Sequence, residues 1–218
     1  MLTSAGLVPG RGHLDVARAA VAGGATAVQL RAKELGPGEL LPMAGGLREL
    51  CRPRGVLAVV NDEVEVAVES GVDGVHVGRD RDLRAVRRLL GRGLVLGASV
   101  GSPEEVRAAE EAGADYLGVT VWATATKPEA EPVGLEGLRA VARATRLPVV
   151  GIGGVTAANA HLVLAAGAAG VAVVSAVGAA PDPVAATREL AAAVEQALGE
   201  GGGGVGMRAE RPDPRESR

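Results

Sequence analysis

Seven short, valine-rich apolar runs recur at nearly constant spacing along this 218-residue chain, and stretches of helical periodicity separate them. The runs are residues 27–31 (AVQLR), 56–61 (VLAVVN), 74–78 (GVHVG), 95–100 (VLGASV), 116–120 (YLGVT), 148–153 (PVVGIG) and 170–175 (GVAVVS). Each is bounded by Gly, Pro or polar residues and is apolar almost throughout, the pattern of strands covered on both faces. Strict alternation of such strands with helices implies a parallel sheet. The expected architecture is a (β/α)8 TIM barrel. An open doubly wound sheet of flavodoxin or Rossmann type is the alternative, weakened because no G-x-G-x-x-G follows the first run.

The intervening helices announce themselves by face and by cap. Leu14, Ala17 and Val21 share one face, as do Val106, Ala109 and Ala112. Ser102-Pro103-Glu104-Glu105 supplies an N-cap, a proline at N1 and acidic first-turn residues. Thr156 is expected to open a further helix, and Gly24, Gly71, Gly113 and Gly167 to close helices before the next strand. The first stave is short of residues: Met1-Leu2-Thr3-Ser4 reads as the tail of a strand, either very short or begun upstream of Met1. Residues 1–198 are expected to form one catalytic barrel domain, and 199–218, Gly-rich and without periodicity, a disordered tail.

Composition narrows the function classes. With no Phe, one Trp and one Tyr, the core must be built from Ala, Val, Leu and Gly. A net charge of −3 provides no basic field for nucleic acid and the few aromatics no stacking platform. Cys51 is the only cysteine, which fits a reducing cytosol. No signal peptide or membrane-length apolar run is visible, so a cytoplasmic location is expected, with no membrane partner. The chain carries 21 Arg and only two Lys, Lys33 and Lys127, in a sequence that otherwise uses arginine for positive charge. A compact ammonium and a planar guanidinium are not equivalent at a tight site, so both lysines are candidates for function.

In a barrel of this kind the functional groups follow the strands. Those positions hold Gln29, Arg31 and Lys33; Asn61 and Asp62; Asp80 and Asp82; Ser99; Thr124, Thr126 and Lys127; Gly153 and Gly154; and Ser175. Cations, carboxylates and backbone donors on one rim suit a polyanion with a divalent cation. Gln29, Arg31 and Lys33 alternate along a strand and share a face; alternatively Arg31 and Lys33 neutralise a structural carboxylate such as Asp62. The Asn61-Asp62 pair can hold Mg²⁺ or cap the next helix. Gly153-Gly154 and Val174-Ser175 match a backbone phosphate site, or are ordinary turn residues. His76, inside GVHVG, reads as a packed strand histidine rather than a catalyst.

Taken together, VQLRAK (28–33), NDEVEVA (61–67), GVDGVHVG (71–78), GASVGSPEEVRAAEEAGADYLGV (97–119), TATKPEA (124–130), GLEGLRAV (134–141) and the series from 148 to 177 resemble thiamine phosphate synthase. The resemblance runs over nearly all of residues 12–198. It implies a transferase that joins hydroxymethylpyrimidine diphosphate to a thiazole phosphate and releases pyrophosphate. By the same resemblance, Gln29-Leu30-Arg31-Ala32-Lys33 with Asn61 and Lys127 holds the pyrimidine diphosphate. Asp62 and Asp80, or Asp82 in place of Asp80, would hold Mg²⁺, and Ser99 would sit by the reacting pyrimidine and pyrophosphate. Thr124, Ala125 and Thr126, with Gly154, Val174 and Ser175, would meet the thiazole phosphate. Arg31, Lys33, Ser99 and Lys127 would carry the catalysis, and a homo-oligomer is compatible with the family.

Two departures stand out. Gly78-Arg79-Asp80-Arg81-Asp82 replaces a G-Q-x-D pattern, and the loop before Thr124 lacks one residue and a Gly-Pro pair. The related thiazole tautomerases lose the Gln-Arg-Lys and Asn-Asp groups and carry a histidine in the loop that here spans 120–127, where this chain has none. The alternatives are a tautomerase-like isomerase, which these residues disfavour, and a non-catalytic phosphate-binding barrel.

Overall fold

The computed structural model describes residues 1–124 and 131–200. Seven parallel strands pair in strict sequence order: β1 (Ala27–Leu30), β2 (Leu57–Asn61), β3 (Gly74–Val77), β4 (Val95–Ser99), β5 (Tyr116–Thr120), β6 (Val149–Ile152) and β7 (Gly170–Ala172). Every one falls inside an apolar run of the sequence. Helices connect them: α1 (His13–Ala22) precedes β1, and α2 (Pro37–Cys51), α3 (Val64–Ser70), α4 (Leu83–Leu90), α5 (Pro103–Glu111), α6 (Gly134–Arg143) and α7 (Ala160–Ala165) follow β1 to β6 in turn. After β7 come the short α8 (Ser175–Gly178) and the long α9 (Pro183–Glu200), which runs two residues past the expected end of the domain.

Outward-facing strand residues such as Val28, Leu30, Val60, Val75, Leu96 and Leu117 are all but fully buried against Val, Leu and Ala of the helices. With almost no aromatics, close packing is reached by small residues. Gly71 and Gly113 take left-handed backbone at the ends of α3 and α5, as expected, which turns the chain back into the next strand. Ser102 caps α5 by accepting from Glu105 N–H.

Two expectations are corrected. The helix expected at Thr156 begins at Ala160 instead; Thr156 opens a turn in which Asn159 Oδ1 accepts its N–H at 2.8 Å. Nor does the sheet close as an eight-stranded barrel: it is a curled seven-stranded sheet of TIM-like form. Met1–Thr3 provides too few residues for a strand ladder and makes one parallel bridge, Leu2 with Gln29. Even so, Leu2 N–H donates to Val173 O just beyond β7 while Thr3 N–H donates to Gln29 O on β1, both at 2.9 Å. One short segment therefore touches both edges of the sheet.

The inner face differs from the outer. Gln29, Asn61, His76, Ser99 and Tyr116 line a cavity of about 820 Å³ together with Val59, Val95, Gly118 and Val150. The strands are thus covered by helices outside but face a cavity inside, rather than a second packed core.

Candidate active site

The cavity runs the length of the strands, and most of the residues singled out from the sequence border it where the strands end. Gln29, Arg31, Lys33, Asn61, Asp62, Ser99, Thr124, Gly154, Val174 and Ser175 all line it. Leu30 and Ala32 do not: alternation along β1 sends Leu30 into the core, and Ala32, just past the strand, is buried there too, at 1% and 8% exposed. Ala125, Thr126 and Lys127 lie outside the described residues.

Asp62 is held in a defined and strained position. At φ 63° it is the single non-glycine residue with positive φ among the described residues, and such a conformation costs energy that a site must hold in place. Its Oδ1 accepts from Gly78 N–H at 3.0 Å and its Oδ2 from Asn61 Nδ2 at 2.6 Å. It does not cap α3, whose N-cap is Glu63. An added β-carbon on Gly78 would lie 2.7 Å from Asp80 Oδ1 and 3.9 Å from Asp62 Oδ1, so the two carboxylates converge on the space that this glycine leaves open. Asp82 is employed otherwise: its Oδ1 accepts from Arg84 and Ala85 N–H at 3.0 and 3.1 Å as the N-cap of α4. Arg79, which interrupts the expected pattern, turns outward to Glu105 and Glu131, and the hydrogen bond to Glu105 raises its pKa further.

Arg31 is anchored through its backbone. Thr3 Oγ1, fully buried, accepts from Arg31 N–H at 3.2 Å and pairs with His13 Nδ1 at 2.8 Å, while His13 Nε2 meets Glu34 Oε1 at 2.6 Å. Sequence reading misses Thr3 and His13. Single polar residues near the first stave carry no pattern, and only their meeting with β1 gives them a role.

At the opposite side of the mouth the backbone itself forms the lining. Gly153 has φ 95°, and a β-carbon there would meet Trp122 O at 2.4 Å, so only glycine lets the loop after β6 pass so close to the loop after β5. Val174 and Ser175 sit where α8 starts, a position whose first N–H groups have no acceptor within the helix.

His76, expected as a packed strand histidine, instead faces the cavity, with Nδ1 3.0 Å from Tyr116 Oη and Nε2 3.0 Å from Ser99 Oγ. The Tyr116 phenol lies deep in the sheet's interior, and burial pushes its pKa well above the usual range.

A curled parallel sheet with Arg31, Lys33 and Asp62 on one side of its mouth and the loop glycines on the other has the form of an α/β enzyme of TIM-like fold. Residues 1–177 match the model of the family described as thiamine monophosphate synthase. The chain is 49% identical over 194 residues to thiamine-phosphate synthase of Moorella thermoacetica, covering 87% of this chain and 92% of that protein. It is also 49% identical over 197 residues to that of Chloroflexus aurantiacus, covering 89% and 91%. Among solved structures, thiamine phosphate pyrophosphorylase from Pyrococcus furiosus superposes with a TM-score of 0.83 at 40% identity, covering 90% of this chain and 95% of that one. The chain belongs to the thiamine monophosphate synthase family, and with it to the transferases of thiamine biosynthesis. No helix among the described residues is long and apolar enough to cross a membrane.

Proposed function

We propose that the chain joins hydroxymethylpyrimidine diphosphate to a thiazole phosphate by a dissociative substitution, giving thiamine phosphate and pyrophosphate. The observation that carries this reading is that two chemically different sets of residues, one of charged side chains and one of loop backbone, line one cavity. Arg31, Lys33, Asn61 and Asp62 border it at β1 and β2, and Gly154, Val174 and Ser175 at β6 and β7.

In this reading the methylene C–O bond breaks first, with both electrons leaving on pyrophosphate. The aminopyrimidine stabilises the methylene cation, and the thiazole nitrogen lone pair then forms the new C–N bond. No strong base or covalent nucleophile is required of the protein. Its task is to stabilise charge gathering on the leaving oxygens, which suits Arg31, Lys33 and Lys127 as cations and Ser99 as a hydrogen-bond donor. Thr124, Ala125 and Thr126 belong with the thiazole phosphate. Val59, Val95 and Val150 give the cavity an apolar wall.

The carboxylates fit Mg²⁺. Asp62 and Asp80 offer hard oxygen ligands on the same side of Gly78, and Mg²⁺ commonly takes one or two carboxylates plus substrate phosphates. When bound, the ion supplies charge neutralisation at the diphosphate. Asp80 rather than Asp82 is assigned the second place, because Asp82 is committed to capping α4.

The test is pyrophosphate release by purified protein given both substrates and Mg²⁺. Turnover that depends on both substrates supports the reading, and Asp62→Ala and Lys127→Ala should each suppress it. Release no faster than background with folded protein sinks the enzyme reading in favour of a phosphate-binding barrel.

A further inference from the structure

Four polar side chains from four strands, Gln29, Tyr116, His76 and Ser99, form a line across the interior that the chemistry above leaves largely unused. Gln29 Oε1 is buried without a hydrogen-bond partner among the described residues. His76 Nδ1 lies 3.0 Å from Tyr116 Oη and Nε2 3.0 Å from Ser99 Oγ, so the ring spans the tyrosine and the serine. A neutral imidazole that accepts at Nδ1 carries its proton on Nε2, and in that tautomer it donates to Ser99 Oγ and leaves the serine's own hydrogen pointing away from the ring.

The sheet makes room for this line. His76 and Tyr116 stand two strands apart, with Gly97 between them in register. A β-carbon at Gly97 would lie 2.2 Å from the Tyr116 ring, and one at Gly118 would lie 2.8 Å from His76 Cε1. Both rings occupy notches that only glycine leaves open, and their centroids are 5.3 Å apart.

We propose that His76 is a positioning residue for the reaction: by donating to Ser99 Oγ it presents the serine hydroxyl hydrogen to the oxygens of the departing pyrophosphate. The inference rests on the role given to Ser99 above.

Steady-state kinetics on Ser99→Ala, His76→Ala, His76→Gln, Tyr116→Phe and the double variant His76→Ala/Ser99→Ala test it, with thermal midpoints as the check on folding. His76→Ala should lower kcat by about 10- to 100-fold with KM for both substrates unchanged. His76→Gln, which keeps an N–H donor, should recover part of the loss, and Tyr116→Phe should lose less than His76→Ala. The double variant should be no slower than Ser99→Ala alone. Full kcat in Ser99→Ala removes the serine's assigned role and with it the reading on which the inference stands. A slow Ser99→Ala beside His76 variants of normal kcat overturns the inference alone, as do losses that multiply in the double variant. Should His76→Ala not fold, the same cycle is run with His76→Gln.

Discussion

Gly78 donates its backbone N–H to Asp62 Oδ1 at 3.0 Å, which ties the end of β3 to the turn after β2. The bond spans two neighbouring strand ends and holds the carboxylate of a residue whose backbone is itself in the left-handed region. Because Gly78 has no side chain, Asp80 can reach the same place.

That arrangement separates the two candidate carboxylates by experiment. Asp80→Asn should raise the Mg²⁺ concentration for half-maximal turnover by about tenfold or more, with little change in thermal midpoint. Asp82→Ala should do the reverse, removing a helix cap worth about 1 kcal/mol while leaving the Mg²⁺ requirement alone. The opposite pattern would exchange their roles.

The notch at Gly97 makes a sharp stability prediction. An alanine β-carbon 2.2 Å from the Tyr116 ring cannot be accommodated without moving a side chain wedged between strands. Gly97→Ala should cost about 1–3 kcal/mol in urea unfolding. An unchanged denaturation midpoint would show that Tyr116 swings aside freely.

Burial should rank leucine truncations. Leu117 is fully buried on the outer face of β5, whereas Leu89 on α4 is 59% exposed. Leu117→Ala should destabilise by about 2–5 kcal/mol and Leu89→Ala by no more than about 0.5 kcal/mol. Calorimetry of the two variants side by side decides it.

Cys51 gives the chain a pH signature at the alkaline end. It is fully buried at the end of α2, and burial pushes its thiol from 9.0 up to about 11. Between those values the unfolded chain has released the proton and the folded chain keeps it. Stability from this group is therefore complete below pH 9 and declines as pH rises to about 11, by up to about 3 kcal/mol. Native protein should also resist alkylation at pH 8 and take up one equivalent of reagent when denatured. Rapid labelling of the native state would contradict the burial.

The parts of this molecule written as local pattern are legible in the order of amino acids alone. Val56–Asn61 and Pro148–Gly153 declare themselves as strands by length, valine content and flanking residues, and Ser102-Pro103 declares a helix start. Gln29, Arg31 and Lys33 can be placed together because alternation along one strand is a local fact. The line from Gln29 to Ser99 cannot, since His76 and Tyr116 are forty residues apart and meet through the register of three strands. The left-handed backbone at Asp62 leaves no mark on composition, because hydrogen bonds from Gly78 and Asn61 hold it. The start of α7 is ambiguous from sequence because Thr156 and Asn159 both carry cap chemistry, and the turn between them precedes the helix.

The bridge that Leu2 makes between Gln29 and Val173 also bears on how the molecule assembles. Every other strand pairing joins neighbours in sequence, so the sheet can grow outward from any βα unit by short loop closures. Joining Leu2 to Val173 brings together groups from opposite ends of the sheet-forming chain, a longer closure than any other pairing in the sheet. Chain statistics therefore place this seam last in folding, and its amides should be among the first to exchange with solvent.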